Sequence, residues 1–229
     1  MDDDKLIYLE RTPRTRAERT PTVVLLHGRA SYAKTIFSIE GLLDARNHVF
    51  ALQAPFPSAR GGFEWFVPKK NEEGVEGDEA LLSKRLEEMA KSEEFATATI
   101  KELIASRGLD PELLFLIGFS QGAAMTYLLS LRGKLHVRGA VPMSGFLPDE
   151  VRQWPEVSTT TEFVVAHGDH DEVLPESSSI SAHEFLLSKG IKSEYKVYKG
   201  RHKMSLDIVR YVNSWILKQA GLSEDSGGS

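Results

Sequence analysis

Short apolar segments rich in β-branched residues alternate with longer segments of helical periodicity along most of this chain. Six of the apolar segments are predicted to be β-strands, over 22–28, 48–55, 113–118, 137–145, 161–168 and 193–200. Helices are predicted between and after them, over 34–46, 78–107, 121–132, 177–190 and 203–219. Several strands are apolar throughout, as in a parallel sheet covered on both faces. The pattern therefore predicts an α/β fold with a mostly parallel, doubly wound sheet flanked by helices.

The length of the chain fits one domain of this kind. With 229 residues, of which 41% are hydrophobic, the chain can bury a full core. We expect a single domain over 20–220 without a large cap domain. Residues 1–19 are expected to form an N-terminal segment derived in part from an expression sequence, and residues 221–229 a flexible tail.

Composition and charge exclude several classes of function. The net charge is −5, and the cationic residues are scattered, so no nucleic-acid partner is expected. The sequence contains no cysteine, which excludes disulfides, thiolate catalysis and cysteine-ligated zinc. There is neither a signal-peptide pattern nor an apolar run long enough to cross a membrane. We therefore expect a cytoplasmic protein that does not insert into membranes.

The segment LFLIGFSQGAAM places a serine between two glycines where a predicted strand passes into a predicted helix. Gly-x-Ser-x-Gly in this context is the nucleophile elbow of α/β-hydrolases, in which a strained turn exposes the serine hydroxyl. Bulky side chains at Gly118 or Gly122 would collide with the neighbouring strand or helix. The start of the helix also offers the backbone N–H of Gln121 to a developing oxyanion. Ser120 is therefore the candidate nucleophile, whereas the alternative is an ordinary turn.

A serine hydroxyl needs a base, and this fold supplies it after the nucleophile and the acid in the chain. Five histidines follow Ser120, at positions 136, 167, 170, 183 and 202. His202 lies between the last predicted strand and the last helix, at the carboxyl edge of the sheet where sites form. His202 is therefore the candidate base.

The acid is expected in the loop after the preceding strand, AHGDHDEVLP. This loop offers Asp169, Asp171 and Glu172. The need to project the acid back towards His202 favours Asp171, although composition does not separate it from Asp169. For each of these residues the alternative is a solvated turn position.

The long loop 55–77 interrupts the strand and helix alternation and carries three aromatic residues, Phe63, Trp65 and Phe66. Long loops in compact domains are usually functional or disordered, and disordered segments are poor in aromatics. The rings either pack over the sheet edge or form a wall of the pocket that takes the acyl chain of a substrate. We interpret them as candidate substrate-binding residues.

Four segments in this order resemble the carboxylesterase/phospholipase family of α/β-hydrolases, which includes acyl-protein thioesterases and bacterial short-chain esterases. The segments are GLDPELLFLIGFSQGAA, VPMSGFLP, AHGDHDEVLP and KGRHKMS, and the resemblance covers about residues 22–217. It implies Ser120 as nucleophile, Asp171 as acid and His202 as base. The register of the third segment is what favours Asp171 over Asp169.

The same resemblance implies the second oxyanion donor and the chemistry. In such enzymes the backbone N–H after an early His-Gly serves as donor, which here points to Arg29. The family commonly has a glycine where this chain has Ala30. The implied activity is hydrolysis of small-molecule carboxylic esters or thioesters with no metal or cofactor. A lysophospholipase or a peptidase is the alternative within this fold, and a catalytically silent binding module is the alternative outside enzymes.

Overall fold

The computed structural model of the protein describes residues 5–15, 17–69, 77–157 and 159–223. Its strands are β1 (Tyr8–Arg11), β2 (Thr22–Leu26), β3 (His48–Leu52), β4 (Phe56–Pro57), β5 (Phe63–Glu64), β6 (Leu114–Phe119), β7 (Gly139–Met143), β8 (Glu162–Gly168) and β9 (Ser193–Tyr198). Its α-helices are α1 (Ala33–Phe37), α2 (Glu79–Arg107), α3 (Gln121–Leu131), α4 (Asp149–Arg152), α5 (Glu176–Ser188) and α6 (Leu206–Gln219). Two short 3-10 helices lie at Glu40–Leu42 and Pro111–Leu113.

Seven of these strands form one sheet in the order β1-β3-β2-β6-β7-β8-β9. Strand β1 pairs antiparallel with β3, and every other pair of neighbouring strands in this sheet is parallel. The central strands are buried along their whole length. This architecture confirms the predicted doubly wound α/β fold.

Alternate residues of each central strand feed two separate apolar layers, because successive side chains point to opposite faces of a sheet. On β2, Val23 and Leu25 face the layer that includes residues of α1 and α6. Val24 and Leu26 face the layer that includes residues of α2, α3 and α5. Helices therefore cover both faces, as the continuous apolar strands predicted. Within the described residues, no helix combines the length and apolarity that a membrane crossing needs.

The N-terminal part of the domain departs from the prediction. Strand β1 lies within residues 1–19, which we expected outside the domain, yet it pairs with β3 at the edge of the sheet. Leu6 is buried in the core, and the Tyr8 ring meets the Phe50 ring edge-on at 5.9 Å. A short edge strand with a half-exposed pattern carries little periodicity, so the sequence pattern did not reveal it. Residues 224–229 of the predicted tail lie outside the described residues.

The carboxyl ends of the parallel strands meet at one edge of the sheet and position the candidate site. Ser120 follows β6, Asp171 follows β8 and His202 follows β9. Since β6, β7, β8 and β9 are consecutive neighbours, their following loops lie side by side. Residues far apart in the chain can therefore meet above this edge.

Candidate active site

Ser120 lies in the turn between β6 and α3, with φ 54° and ψ −115°. This positive φ is unusual for a residue with a side chain and costs on the order of 1–3 kcal/mol. The backbone N–H of Ser120 donates to the carbonyl of Met143 at 2.9 Å, which ties the turn to β7. The strained turn is thus fixed by the sheet, with the serine at the start of a helix.

The two glycines of the motif are required by close backbone contacts. A Cβ on Gly118 would collide with the carbonyl of Gly122 and the hydroxyl of Thr126. A Cβ on Gly122 would collide with the carbonyl of Leu26, the last residue of β2. The turn can therefore pack against the sheet only if both positions lack a side chain.

The imidazole of His202 connects Ser120 to Asp171. Its Nε2 lies 3.0 Å from Ser120 Oγ, and its Nδ1 lies 2.7 Å from Asp171 Oδ2. Because a carboxylate only accepts, Nδ1 carries a proton and Nε2 is left to accept the serine proton. The Phe119 ring packs beside the imidazole, with 4.8 Å between the ring centres. Ser120, His202 and Asp171 thus have the geometry that general-base activation needs.

The carboxylate of Asp171 is buried, with its side chain 1% exposed. Its other oxygen, Oδ1, accepts hydrogen bonds from the N–H groups of Val173 and Leu174, both at 2.9 Å. Burial raises the pKa of Asp171, but hydrogen bonds from Leu174, His202 and Val173 outweigh it and hold the pKa below its usual value. Asp171 therefore stays ionised beside His202.

Asp169 has a different role in the same loop. Its Oδ1 accepts the N–H of Gly200 at 2.9 Å and lies 2.8 Å from His170 Nδ1. The backbone strengthens this contact, because His170 N–H donates to the Gly200 carbonyl at 3.0 Å. Asp169 thus joins the loop after β8 to the loop after β9. His202 lies in the second loop, two residues beyond Gly200.

A second histidine supports the acid loop from below. His167 is fully buried, and its Nε2 lies 3.0 Å from the carbonyl of Leu174 and 3.5 Å from Asp171 Oδ2. Its Nδ1 lies 2.7 Å from the hydroxyl of Ser179 on α5. The ring therefore fastens the chain around Asp171 to a helix.

The loop after β2 brings Arg29 to the nucleophile. A Cβ on Gly28 would lie 3.2 Å from Ser120 Cβ, so the two backbones are in close contact. Gln121 is the first residue of α3, where N–H groups have no acceptor within the helix. In the loop after β2, Ala30 follows Arg29 and has φ 54°. A glycine would take this conformation without strain, which explains the preference of the resembled family at this position.

His27 shapes this loop as a neutral ring. It is buried, and burial lowers the pKa of His27 from 6.5 to about 4. Its Nδ1 donates to the carbonyl of Gly28 at 2.7 Å, and its Nε2 accepts the N–H of Ala54 at 3.0 Å. Both ring nitrogens are therefore used to hold the backbone.

A small hairpin formed by β4 and β5 covers the loop that contains Arg29. Ser31 and Phe63 exchange two backbone hydrogen bonds, at 2.9 and 3.2 Å. The side chain of Gln121 adds a clamp, since its Oε1 accepts the N–H of Trp65 at 2.8 Å and its Nε2 donates to the Phe66 carbonyl at 2.6 Å. The sequence motif pointed to the backbone N–H of Gln121. It carries no signal for these contacts of the Gln121 side chain, which were therefore not predicted.

The three aromatic residues of the 55–77 loop have different surroundings. Trp65 is fully buried in the core, and its indole N–H donates to the carbonyl of His27 at 2.8 Å. Phe63 meets the Tyr32 ring edge-on at 5.9 Å. Phe66 is buried and lines the cleft that contains Ser120. Trp65 and Phe66, both fully buried, thus pack in the core, and Phe66 also borders the cleft. Residues 70–76 of this loop lie outside the described residues.

A cleft of about 630 Å³ opens beside Ser120 and Gln121. Part of its wall is apolar and is formed by Phe66, Phe146, Leu147, Val173 and Leu174. Its size and mixed lining are typical of sites for small molecules. The cleft can hold a substrate group next to the serine hydroxyl.

Comparisons with known proteins show the family to which the chain belongs. The sequence profile of the family described as Phospholipase/Carboxylesterase matches residues 10–219. Carboxylesterase SOBER1 of Arabidopsis thaliana is 32% identical over 126 residues, 53% of this chain and 55% of that protein. Acyl-protein thioesterase 1 of Saccharomyces cerevisiae is 35% identical over 126 residues, 52% of this chain and 55% of that protein. These alignments span about half the length of each relative.

Solved structures show the same architecture over nearly the whole chain. The crystal structure of esterase PE8 has a TM-score of 0.78 at 25% identity, over 93% of this chain and 99% of that one. The Bacillus cereus carboxylesterase has a TM-score of 0.73 at 17% identity, over 95% and 96% of the two chains, which bears on the fold alone.

Proposed function

Because the chain belongs to the phospholipase/carboxylesterase family, we propose that it is a serine hydrolase that cleaves carboxylic esters through Ser120, His202 and Asp171. The observation that carries the proposal is the unbroken chain of contacts from Ser120 Oγ to His202 and on to Asp171, at 3.0 and 2.7 Å. Ser120, at one end of this series of contacts, borders a cleft large enough for a small ester.

In the first half of the reaction, Ser120 Oγ attacks the carbonyl carbon of the ester while His202 Nε2 takes the hydroxyl proton. The ionised Asp171 holds the Nδ1 proton and stabilises the imidazolium that forms. The N–H groups of Arg29 and Gln121 stabilise the oxyanion, each worth roughly 3–4 kcal/mol where such donors have been measured. Collapse of this intermediate breaks the bond to the leaving alcohol, which receives the proton from His202, and leaves an acyl-enzyme.

In the second half, water attacks the acyl carbon and His202 takes a proton from it. The same two N–H groups stabilise the second oxyanion, and the acid is released as Ser120 regains its proton. Every proton transferred in this cycle passes through His202 Nε2. The one covalent bond that the protein forms is that between Ser120 Oγ and the acyl carbon. The contacts of Ser120 and His202 support both halves of the proposed reaction.

Thioesters are the second substrate class that we propose, since one of the relatives is named an acyl-protein thioesterase. An acyl thioester presents the same carbonyl carbon to Ser120, with a thiol as leaving group. Paired oxygen and sulfur esters of the same acyl chain would separate the two classes by kcat/KM.

A panel of p-nitrophenyl esters from acetate to palmitate tests the proposal. The wild-type protein should hydrolyse part of the panel, and Ser120→Ala should lower kcat by about six orders of magnitude, as for other triad nucleophiles. The control is the folded state of the variant, checked by its thermal unfolding. Turnover by Ser120→Ala within tenfold of the wild type would refute Ser120 as nucleophile.

A further inference from the structure

Among the described residues that line the cleft beside Ser120, basic residues outnumber acidic ones, although the whole chain has a net charge of −5. Among the described residues that line it, Asp149 is the one acidic residue, and five are basic: Arg29, Arg60, Lys69, Arg85 and Arg152. Basic residues gathered in a concave site raise the local positive potential, because the low-dielectric walls focus the field. This local charge opposes that of the molecule as a whole.

Of these basic residues, Arg60 already has an interaction partner, and Lys69 and Arg85 are each paired with a carboxylate. Lys69 Nζ lies 3.2 Å from Asp149 Oδ2. The guanidinium of Arg85 is buried, lies 2.9 Å from Glu150 Oε1 and donates to the Val67 carbonyl at 3.0 Å. The charges of Lys69 and Arg85 are largely neutralised by these carboxylates, so they add little to the positive charge of the cleft.

Arg152 on α4 has neutral neighbours instead. Its guanidinium donates to the hydroxyl of Ser181 at 3.1 Å and lies 5.4 Å from the centre of the Phe185 ring. Within the described part of the chain, no carboxylate forms an ion pair with it. Ser181 also lines the cleft, so this contact holds the guanidinium at the cleft wall without an ion pair to a described carboxylate.

Arg29 contributes a second positive charge to the lining of the cleft. The positive charge of Arg29 acts on the carboxyl group of Glu64. Burial raises the pKa of Glu64, while the hydroxyl of Ser58 and the charge of Arg29 lower it. Among the residues that the structure describes, Arg29 makes no ion pair with Glu64 or another carboxylate. Arg29 is half-buried and lines the cleft, so it can contribute its charge there as well as the backbone N–H that we propose for the oxyanion.

We propose that the substrate carries a second anionic group, a carboxylate or a phosphate, which binds in the cleft to Arg152 and Arg29. The guanidinium fork matches both kinds of oxyanion and binds either through charge-assisted hydrogen bonds. The inference rests on the proposed serine hydrolase function. Hydrolysis consumes one water and releases the acid and the alcohol, and the second anionic group passes through the reaction unchanged.

Two pairs of esters locate this group and identify its chemistry. In the first pair, p-nitrophenyl hydrogen adipate carries a carboxylate on the acyl side, and its terminal carboxamide is the neutral control of similar shape. In the second pair, 1-hexanoylglycerol 3-phosphate carries a phosphate on the leaving side, and 1-hexanoylglycerol is the neutral control. The wild-type kcat/KM should favour the anionic member of at least one pair by about tenfold.

Substitutions at Arg152 connect this preference to the cleft. Arg152→Gln should reduce the ratio of anionic to neutral kcat/KM by about tenfold, and Arg152→Lys should keep part of it because the charge remains. Arg210→Gln, an exposed arginine on α6, is the matched control and should leave the ratio unchanged. Added salt should lower the ratio in the wild type, since it screens the attraction.

The results separate this inference from the proposed function. A wild-type ratio at or below one in both pairs, or a ratio that Arg152→Gln and Arg152→Lys leave unchanged, overturns the anionic subsite. If the neutral esters are then still hydrolysed by the wild type and not by Ser120→Ala, the proposed function stands. If the wild type hydrolyses no ester of either pair or of the p-nitrophenyl panel, both proposals fail.

Discussion

The indole nitrogen of Trp65 donates a hydrogen bond to the backbone carbonyl of His27 over 2.8 Å. Trp65 belongs to the segment that follows the β4–β5 hairpin, and His27 begins the loop that presents the N–H of Arg29. The core of the protein is thus joined directly to the proposed oxyanion site. Loss of this hydrogen bond is expected to affect both stability and catalysis.

Trp65→Phe keeps an aromatic ring but removes the N–H donor and leaves the buried His27 carbonyl without that partner. We expect a loss of about 1–3 kcal/mol in the free energy of unfolding, the usual cost of an unsatisfied buried polar group. The kcat for esters should fall more than KM rises, because the Arg29 N–H shifts, while the preferred acyl chain length stays the same. Denaturant titration and the ester panel measure these effects. A changed chain-length preference at unchanged stability would place Trp65 in the pocket wall instead.

The two aspartates of the acid loop should differ strongly in their effect on catalysis. Asp171→Asn preserves shape but removes the charge that holds the His202 tautomer, a change that costs about 10⁴ in kcat in a triad of this kind. Asp169→Asn keeps an oxygen that can accept the Gly200 N–H, so we expect less than about a tenfold loss. Steady-state kinetics of both variants on one ester provide the comparison. The opposite ranking would assign the acid to Asp169.

The closeness of α3 to the sheet predicts a steep penalty for a single methyl group. Gly122→Ala would force its Cβ against the Leu26 carbonyl, and we expect a loss of about 3 kcal/mol or more in unfolding free energy. Gly41→Ala is the matched control, because a Cβ there meets open space, and it should change stability by less than about 1 kcal/mol. Chemical unfolding of both variants measures the difference. Equal stability of the two would mean that α3 does not pack this closely.

The buried, neutral His27 predicts a specific dependence of stability on pH. Its pKa is about 4 in the folded protein against 6.5 ordinarily. As the pH falls from 6.5 to 4, the unfolded chain takes up a proton that the folded protein refuses, so stability falls. The contribution is complete above pH 6.5, and about 3 kcal/mol of it is lost by pH 4.

His27→Gln tests this contribution through the slope of unfolding free energy against pH, whatever its effect on absolute stability. The variant should show a shallower slope than the wild type between pH 6.5 and 4. His136→Gln, which removes a partly exposed histidine 3.1 Å from Glu112, is the control for loss of a histidine elsewhere in the chain. Identical slopes in all three proteins would show that His27 takes up its proton in the folded state.

Local sequence patterns predicted the central sheet because each parallel strand is a continuous apolar run that ends at a turn residue. They also placed Ser120 and His202, since both follow predicted strands at the same sheet edge. The edge strand β1 escaped, because Tyr8–Arg11 is short and half exposed and its pairing with β3 is set by tertiary contacts. The shorter α1 and the additional helix α4 also differ from the predicted boundaries.

The surroundings of individual side chains could not be read from the sequence. Asp169 and Asp171 lie in one loop, and backbone hydrogen bonds to Val173, Leu174 and Gly200 give the two carboxylates their separate partners. The same holds for the clamp by the Gln121 side chain, which spans more than fifty residues of sequence to Trp65 and Phe66. Such contacts arise from packing and leave no periodic pattern.

The proposed chemistry depends on activation of Ser120 as a nucleophile by His202. Reaction with a fluorophosphonate followed by intact-mass and peptide mass spectrometry tests it most directly, because this reagent forms a stable adduct with an activated serine. We predict one adduct per chain, located on Ser120, and none on the Ser120→Ala variant. We also predict much slower labelling of His202→Gln, which keeps Ser120 but loses its base. An unlabelled wild-type protein, or an adduct on another residue, would contradict the account.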